Sequence, residues 1–268
     1  MRVEDLDTGR VRPGVAESQL ADLAAIGLDW DGPVVRQSER TALYHDAVAQ
    51  LDEAGLVYPC YCTRAEIRRA ASAPHGPLPE GAYPGTCRAL SDSQRGEREA
   101  AGRPPALRLR AGEARIAFVD RLLGPQRGMV DDIVVRRNDG AYAYNLAVVL
   151  DDAAQGVAEV VRGDDLLDTT ARQIHLAGAL GVSVPAYAHV PLVLGPDGQR
   201  LAKRHGSVTL AERAAVGESP EEVRGRLAAS VGLAQAGESP AMEELLERFD
   251  PQRLPREPTM LDAGDAAE

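Results

Sequence analysis

Apolar segments typical of buried strands alternate with amphipathic helices along most of this chain. A short strand is predicted at residues 2–6, and Pro13 is expected to open the first helix. A second helix is predicted over residues 41–54, and a strand over 158–162 leads into a helix over 165–180. Because strands that alternate with helices build a parallel sheet covered by helices, the predicted fold class is α/β.

Several shorter segments complete this pattern. Residues 106–109 and 114–119 alternate like two strands paired with each other. Residues 133–136 and 142–150 are apolar runs suited to a buried sheet, and residues 189–194 are a further buried strand. Helices are also predicted over residues 64–71, 91–101, 210–216, 219–230 and 240–248.

The composition limits the class of protein. The 268 residues are enough for one large domain or two modest ones. No apolar run approaches the roughly 20 residues that span a bilayer, and no charged and then apolar leader opens the chain. The net charge of −11 argues against indiscriminate binding to nucleic acid, although it is compatible with a local basic groove. We therefore expect a soluble, cytoplasmic protein that does not associate with membranes.

Three cysteines fall within 28 residues: Cys60, Cys62 and Cys87. An odd number of cysteines in such a chain argues against a disulfide framework, whereas clustered thiolates and one further ligand can complete a tetrahedral zinc site. General zinc chemistry favours His75 over an oxygen donor as the fourth ligand. Tyr83 is a less usual candidate and Asp92 a remote one. Three buried free thiols are the interpretation without a metal.

Lys203 is the single lysine in a chain that otherwise carries 29 arginines. It lies in residues 200–206, directly after a Gly-Pro-Asp-Gly sequence that favours a tight turn. A compact ammonium group binds phosphate as a point charge, whereas a guanidinium group is a flat fork. A single retained lysine therefore indicates a phosphate-binding role for Lys203. The alternative is that Lys203 has no special role and lies by chance on a basic surface loop.

Three polar side chains stand at strand ends or inside apolar runs. Glu4 belongs to a carboxylate cluster at a strand end, where ligands of open parallel sheets bind, and it could hold an ammonium group. Tyr144 brings a hydroxyl group that needs a partner into an apolar run. Arg162, at another strand end, could clamp a carboxylate in bidentate fashion. The competing interpretations are a solvated acidic turn at Glu4 and a salt bridge from Arg162 to Asp164 or Asp165.

Taken in order, these segments resemble the catalytic domain of the class I glutamyl-tRNA synthetase family over roughly residues 1–210. The short glutamyl-queuosine tRNA(Asp) synthetase branch is the closer match, because too few residues follow the lysine loop for a large helical anticodon-binding region. The Cys-x-Cys…Tyr-x-x-x-Cys pattern is also similar to that branch. In the last segment, Ala202 stands where the KMSKS signature usually has serine. The resemblance rests on RVEDLD at 2–7, Cys60–Cys62, Tyr83–Cys87, Tyr144–Asn145, Arg162–Asp165 and residues 200–204.

The resemblance implies a Rossmann-like catalytic core with a zinc-binding insertion and a small helical C-terminal part. It also implies a reaction in two steps. Glutamate attacks the α-phosphate of ATP, which carries Mg²⁺, and the glutamyl group then passes to the queuosine base of tRNA(Asp). By resemblance, Glu4 holds the α-ammonium group of L-glutamate, while Tyr144 and Arg162 help to fix the substrate. Lys203 is implied to stabilise the ATP phosphates as the catalytic residue.

The resemblance also changes the expected metal site and adds an expectation about assembly. It implies one zinc ion per chain and favours Tyr83 over His75 as the fourth ligand. A monomer is expected. The implied zinc ligands are Cys60, Cys62, Tyr83 and Cys87.

One family feature is absent from the 268 residues. Members begin with a strand and a P-S-P-T-G-x-L-H-x-G-like loop, the HIGH-type signature of the ATP site, and no segment here matches it. A parallel sheet without an inner strand exposes backbone groups and apolar helix faces. We therefore expect the chain as written to be poorly stable or inactive. A start site placed too late and a decayed paralogue are the two explanations.

Two other functions compete with the glutamyl-queuosine reaction: a non-catalytic remnant that binds tRNA or protein, and a fragment of a glutamyl-tRNA synthetase. An in-frame HIGH-type segment in the DNA upstream of Met1 would favour the enzyme.

The chain is predicted to divide into five parts. They are a partial nucleotide-binding half at 1–56, a zinc-containing, acceptor-binding insertion at 57–130, a second half with the lysine loop at 131–208, a helical part at 209–255 and a disordered tail at 256–268.

Overall fold

The computed structural model describes residues 1–71, 82–112, 114–195, 197–200 and 209–260, with the backbone alone at 68, 70 and 71. The strands are β1 Arg2–Val3, β2 Val35–Arg36, β3 Val57–Cys60, β4 Ala106–Leu109, β5 Arg115–Asp120, β6 Gly124–Met129, β7 Val134–Arg136, β8 Glu159–Gly163, β9 Ala186–Val190, β10 Val193–Leu194 and β11 Thr259–Met260. The helices are α1 Val15–Ala25, α2 Thr41–Glu53, α3 Arg64–Ala71, α4 Asp92–Ala100, α5 Tyr144–Ala154, α6 Leu167–Leu180, α7 Leu210–Ala215, α8 Pro220–Ser230 and α9 Met242–Arg248.

The strands form mixed sheets, and the predicted α/β class is confirmed. The largest described sheet has the order β6-β5-β9-β8, with β9 parallel to both of its neighbours and β6 antiparallel to β5. Strands β3, β4 and β7 form an antiparallel sheet, while β1 pairs with β2 and β10 with β11 in parallel. Strands β8 and β9 are parallel neighbours, and their register pairs Arg162 with His189.

The main core lies between helices α2, α5 and α6 and the β3-β4-β7 sheet. Leu51, Leu109, Leu146 and Leu176 are fully buried there. Each such side chain stabilises the fold by about 1.5–3 kcal/mol relative to exposure. Helix α6 also packs on β6, and a Cβ atom at Gly128 would come within 2.5 Å of the Ala171 side chain. The core therefore fixes α5 and α6 against the two sheets.

The prediction of a buried strand over residues 142–150 is wrong, because residues 144–150 form the first two turns of α5. Residues 146–152 of this helix are all buried. A helix enclosed on all sides shows a continuous apolar run, which periodicity cannot distinguish from a buried strand.

The predicted pairing of residues 106–109 with 114–119 is also wrong. Strand β4 lies between β3 and β7, whereas β5 pairs with β6 and β9. The two segments do alternate as strands, but alternation identifies a half-buried strand and not its partner.

The strand predicted over residues 189–194 is wrong in its extent, because β9 ends at Val190 and β10 covers only Val193–Leu194. Helix α1 begins at Val15, two residues after the predicted start at Pro13. Most other boundaries follow the sequence patterns. Helices α2 and α6 and strand β8 lie at the predicted positions, as do α3, α7, α8 and α9. Ser91 caps α4 by accepting a hydrogen bond from the backbone N–H of Gln94, whose side chain accepts one in return. Of the predicted tail at 256–268, residues Thr259–Met260 pair with Val193–Leu194, and 261–268 lie outside the described residues. The remaining part boundaries stay predictions.

Candidate functional site

A cleft of about 650 Å³ opens between β1, the first turn of α5 and the end of β8. Glu4, Tyr144 and Arg162 all line this cavity, which we call the β8 cleft. These three residues are far apart in the sequence. The fold brings them together, because Arg2 of β1 bonds to the end of α5 and β8 ends beside α6. The structure therefore brings together all three residues predicted to contact a small substrate.

Glu4 follows β1, and its side chain remains partly open to solvent. The carboxylate accepts a hydrogen bond from Nη2 of Arg2 at 3.2 Å, and Nη1 of Arg2 also donates to Asp152 and Gln155, both at 2.8 Å. Arg2 therefore ties β1 to the end of α5. Because Glu4 shares this arginine with Asp152, it keeps acceptor capacity toward the cleft.

Tyr144 is the first residue of α5 and is 43% exposed. Partial burial and the nearby Glu4 carboxylate raise the pKa of its phenol, although the Arg162 charge acts in the opposite direction. The hydroxyl group is therefore protonated at neutral pH and can donate a hydrogen bond into the β8 cleft.

The Arg162 guanidinium group is held by neutral acceptors. Its Nη1 donates to Gln173 Oε1 at 2.8 Å, its Nη2 to Thr170 Oγ1 at 2.7 Å and its Nε to His189 Nε2 at 3.1 Å. The alternative of a salt bridge to Asp165 is wrong, because Asp165 pairs with Arg200 at 2.6 Å. Within the described residues, no carboxylate forms an ion pair with Arg162. Its charge is therefore available to an anionic ligand.

Sequence reasoning missed the residues that hold Arg162. Thr170 and Gln173 are buried on α6, and Gln173 also donates to Asn145 at 3.1 Å. The signal that could have found them is their three-residue spacing, which puts two polar side chains on the same face of a largely buried helix. A histidine inside the apolar strand β9 is the corresponding signal for His189.

The second predicted site is a cluster of thiols at the end of β3. The three sulfur atoms lie within 4.8 Å of one another, and the Sγ atoms of Cys62 and Cys87 are 3.5 Å apart. The Tyr83 hydroxyl oxygen lies 3.4 Å from Cys60 Sγ and 3.9 Å from Cys62 Sγ. We refer to these four side chains as the thiol cluster.

These distances fit a tetrahedral zinc ion. At Zn–S and Zn–O bond lengths of about 2.3 and 2.0 Å, neighbouring ligand atoms lie about 3.5–3.8 Å apart. Burial and the neighbouring thiols of Cys87 and Cys60 raise the pKa of Cys62 to about 12, because a thiolate there has no compensating charge. A divalent cation would supply that charge. The four residues can therefore hold the metal that the sequence pattern implies.

The surroundings hold Tyr83 in place, whereas Asp92 does not belong to the thiol cluster. The Tyr83 backbone N–H donates to Asp131 at 2.8 Å, and the Arg108 guanidinium lies over its ring at 3.7 Å from the centroid. Asp92 is fully exposed and lies near Arg95. His75 belongs to residues 72–81, outside the described part of the chain.

The phosphate-binding prediction cannot be placed in the structure. Lys203 belongs to residues 201–208, which lie outside the described residues. The turn before it has the expected form, with the Gly198 backbone N–H donating to the Gly195 carbonyl at 2.9 Å. Arg200, just after this turn, pairs with Asp165, two residues beyond the end of β8. The described start of the lysine loop is thus tied to the strand that carries Arg162.

The mixed α/β fold agrees with a catalytic domain of the class I aminoacyl-tRNA synthetase type, and the comparison with family models shows this class. The family model for the catalytic domain of class I tRNA synthetases (E and Q) matches residues 1–264, and the chain belongs to this family.

Similar proteins fall in the same family. The chain is 64% identical to the glutamyl-Q tRNA(Asp) synthetase of Nocardia farcinica, over 97% of this chain and 81% of that protein. It is 54% identical to the protein of the same name from Symbiobacterium thermophilum, over 100% of this chain and 86% of the relative. A crystal structure of a glutamate tRNA ligase from Elizabethkingia meningosepticum, in complex with its amino acid, superposes with a TM-score of 0.78 at 26% identity. That match covers 98% of this chain, which spans 60% of the ligase.

The described helices can also be compared with the requirements of a membrane span. None of them, in the part of the chain that the structure describes, has both the length and the apolar character needed to cross a bilayer.

Proposed function

We propose that this chain activates L-glutamate with ATP and transfers the glutamyl group to the queuosine base of tRNA(Asp). The observation that carries the proposal is the β8 cleft, where Arg162 donates hydrogen bonds to neutral acceptors and presents an uncompensated charge beside Glu4 and Tyr144. The names of the relatives from N. farcinica and S. thermophilum support the choice of tRNA substrate. The reaction is proposed to occur in the cytoplasm, on a monomer.

The three cleft residues recognise different groups of glutamate. Glu4 pairs with the α-ammonium group, and Tyr144 donates its hydroxyl hydrogen to a substrate oxygen. Arg162 pairs with the side-chain carboxylate, because the α-carboxylate must stay free to act as the nucleophile. A fixed guanidinium fork matches a carboxylate in two parallel hydrogen bonds. Glutamine would lose the charge of this pair, so the arginine also selects the acid over the amide.

Activation consists of one displacement at phosphorus. An α-carboxylate oxygen of glutamate attacks the α-phosphate of ATP, a mixed anhydride forms, and pyrophosphate leaves with Mg²⁺ bound through its oxygens. Lys203 stabilises the charge that develops on the phosphates, a role that needs positioning more than covalent chemistry from the protein. In the second step, a hydroxyl group of the cyclopentene-diol of queuosine attacks the anhydride carbonyl. A glutamyl ester forms and AMP leaves.

The thiol cluster is proposed to hold one zinc ion in a structural role. Cys60, Cys62 and Cys87 would supply thiolates and Tyr83 its oxygen, which leaves no open position for a substrate. Through these four residues, a bound ion would cross-link the end of β3 to the segment around Cys87. It takes no part in the transfer of the glutamyl group.

The first step is tested by glutamate-dependent ATP–pyrophosphate exchange without tRNA. Because the 268 residues contain no HIGH-type segment, exchange is measured with the chain alone and with the chain joined to a HIGH-type segment of the family. Glutamate-dependent exchange is expected in the joined protein and should fall in its Lys203→Arg variant, because a bulky fork replaces a point charge. A folded joined protein that shows no exchange would overturn the proposed reaction.

The second step is tested with three transfer RNAs. Queuosine-containing tRNA(Asp) should accept labelled glutamate, whereas tRNA(Asp) without queuosine should not. Charging of tRNA(Glu) instead would identify the fragment of a glutamyl-tRNA synthetase, to whose solved relative the fold is similar. Binding of tRNA without any transfer would identify the non-catalytic remnant.

A further inference from the structure

A pair of buried polar residues lies behind Arg162 and is not used by the proposed reaction. His189 is 0% and Asp120 1% exposed, in adjacent strands of the four-stranded sheet. Buried ionisable side chains are costly unless they are fully hydrogen-bonded. Their place beside a substrate-binding arginine indicates a role beyond packing.

Asp120 determines which nitrogen of His189 carries the hydrogen. One carboxylate oxygen, Oδ1, accepts from the backbone N–H groups of Leu122, Leu123 and His189 at 2.9, 2.9 and 3.2 Å. The other, Oδ2, lies 2.6 Å from Nδ1 of His189. Burial acts to raise the pKa of Asp120, but the hydrogen bonds from His189 and from the backbone lower it. An ionised carboxylate can only accept, so Nδ1 carries the hydrogen and Nε2 is an acceptor.

The acceptor Nε2 faces Arg162. It accepts from Nε of Arg162 at 3.1 Å and lies 3.2 Å from the Thr170 hydroxyl group. With Thr170 and Gln173 on the two terminal nitrogens, each nitrogen of the guanidinium group has a fixed neutral partner. The orientation of the fork is thus set while its charge remains uncompensated by carboxylates among the described residues.

We propose that Asp120 and His189 are positioning residues that hold the Arg162 guanidinium in the orientation required by the glutamate side-chain carboxylate. The inference rests on the proposed binding of glutamate by Arg162. A side chain held in its binding geometry loses less conformational freedom when the ligand arrives, so the pair contributes to affinity without touching the substrate. Asp120 acts through the tautomer of His189, and His189 acts through the hydrogen bond to Nε of Arg162.

Two substitutions at His189 separate this role from a general contribution to the core. In His189→Gln, the amide oxygen can take the place of Nε2 and still accept from Arg162. In His189→Asn, the shorter amide takes the place of Nδ1, which keeps the bond to Asp120 and loses the acceptor. Both variants remove the ring, so a purely structural role would affect them alike.

Asp120→Asn provides an independent variant. The amide oxygen can keep the three backbone N–H groups, so the NH₂ group then faces Nδ1 of His189. That nitrogen must become the acceptor, the hydrogen moves to Nε2, and Nε2–H points at the Nε–H of Arg162. Two donors then oppose each other, as an aspartate-to-asparagine change is known to cause where a carboxylate fixes a histidine tautomer.

The experiment measures glutamate binding by NMR titration of the chain, with thermal unfolding recorded for every variant. His189→Asn and Asp120→Asn should weaken binding about tenfold or more, whereas His189→Gln should stay within about threefold of wild type. His175→Gln, a histidine variant on α6 outside this network, should match wild type. Equal losses in the two His189 variants, or no loss in His189→Asn, would overturn the inference and leave the proposed function standing.

Nitrogen-15 spectra of the histidine ring test the inference independently of affinity. Wild-type His189 should show the Nδ1–H tautomer and Asp120→Asn the Nε2–H tautomer. A wild-type Nε2–H tautomer would refute the arrangement, even if a variant at position 189 fails to fold. Absence of glutamate binding by the wild-type chain would count against the proposed function and the positioning role together.

Discussion

The thiol cluster and the β8 cleft are assembled in opposite ways. The four members of the thiol cluster lie within residues 60–87, and two of the thiols are separated by one residue. The β8 cleft takes its residues from positions 4, 144 and 162, and its arginine is held by side chains of α6 and β9. One site is local in sequence, whereas the other exists only after the sheets and helices have packed.

This difference affects how each site should respond when one of its residues is substituted. A metal site supplies its own stabilising energy and can organise a segment that has little core of its own. A cleft between packed elements depends on the whole fold for its geometry. The thiol cluster should therefore fail by unfolding locally, while the β8 cleft should lose affinity with the fold intact.

The largest effect is expected from removal of the proposed zinc ion. Cys87→Ser should reduce bound zinc from about one ion per chain to none and lower the Tm by more than about 10 °C, because a structural zinc site contributes several kcal/mol to folding. Elemental analysis and calorimetry measure the two quantities. A chelator should reproduce the shift in wild type and have no effect on the variant. A stable wild-type chain purified without metal would contradict the zinc site.

Arg162→Gln should have the next largest effect, on glutamate binding more than on stability. Loss of a charged partner from a part-buried pair costs about 2–5 kcal/mol, so affinity should fall at least about 30-fold. Calorimetric titration measures the loss. Arg115→Gln, a change of the same type at an exposed site on β5, should leave binding unchanged. A similar loss in both variants would mean that only the net charge matters.

The sequence predicted the residues of both sites, but for different reasons. The thiol cluster followed from the spacing of three rare thiols, a signal that general zinc chemistry can interpret. The choice of Tyr83 over His75 did not follow from that spacing; it required the family resemblance. Glu4, Tyr144 and Arg162 were ambiguous one at a time, since each had a plausible structural role.

Residues without a local signature could not be predicted in the same way. The partners of Arg162 on α6 and β9 depend on the register of β8 with β9 and on the close packing of α6, and both are tertiary properties. The same limit explains the error at residues 142–150, where burial of residues 146–152 of α5 removed the helical period from the sequence. Strand identity was read correctly at 106–109, but strand partners were not.

A third prediction concerns the packing on which the β8 cleft depends. Asp151 on α5 is fully buried and accepts from Arg40 at 2.6 Å and from Gln37 and Tyr44 at 2.8 Å. Asp151→Asn should destabilise the chain by about 3 kcal/mol, because the NH₂ group must face one of these donors. Urea unfolding measures the change. Asp46→Asn on the exposed face of α2 should have almost no effect on the free energy of unfolding. Equal losses of stability in the two variants would argue against a special contribution from the buried Asp151 carboxylate and its donors.

A smaller effect is expected at Asp5, next to the predicted ammonium-binding residue. Burial acts to raise the pKa of Asp5, but hydrogen bonds from the hydroxyl group and the backbone N–H of Ser38 outweigh it, so the pKa is lowered. The stability from this bond is present above the unfolded pKa of about 3.9 and is lost as the pH falls through the folded value. Ser38→Ala should cost about 1.5 kcal/mol at pH 7 and much less near pH 2, as measured by urea unfolding at both values. A cost that does not change with pH would contradict the assignment.

The smallest expected effect tests a feature that, like the thiol cluster, is local in sequence. Ser91 caps α4 through the backbone N–H of Gln94 at 3.3 Å, and the Gln94 side chain accepts from the backbone N–H of Ser91 at 2.9 Å. Ser91→Ala should cost about 1 kcal/mol, because one orphan donor of the helix loses its partner. Ser93→Ala, two residues further on the same exposed helix, should be neutral or slightly stabilising, since alanine has the higher helix propensity. Because α4 follows the thiol cluster closely, the Ser91→Ala variant should keep its zinc; a variant that loses both the helix and the metal would show that the two local features fold as one unit.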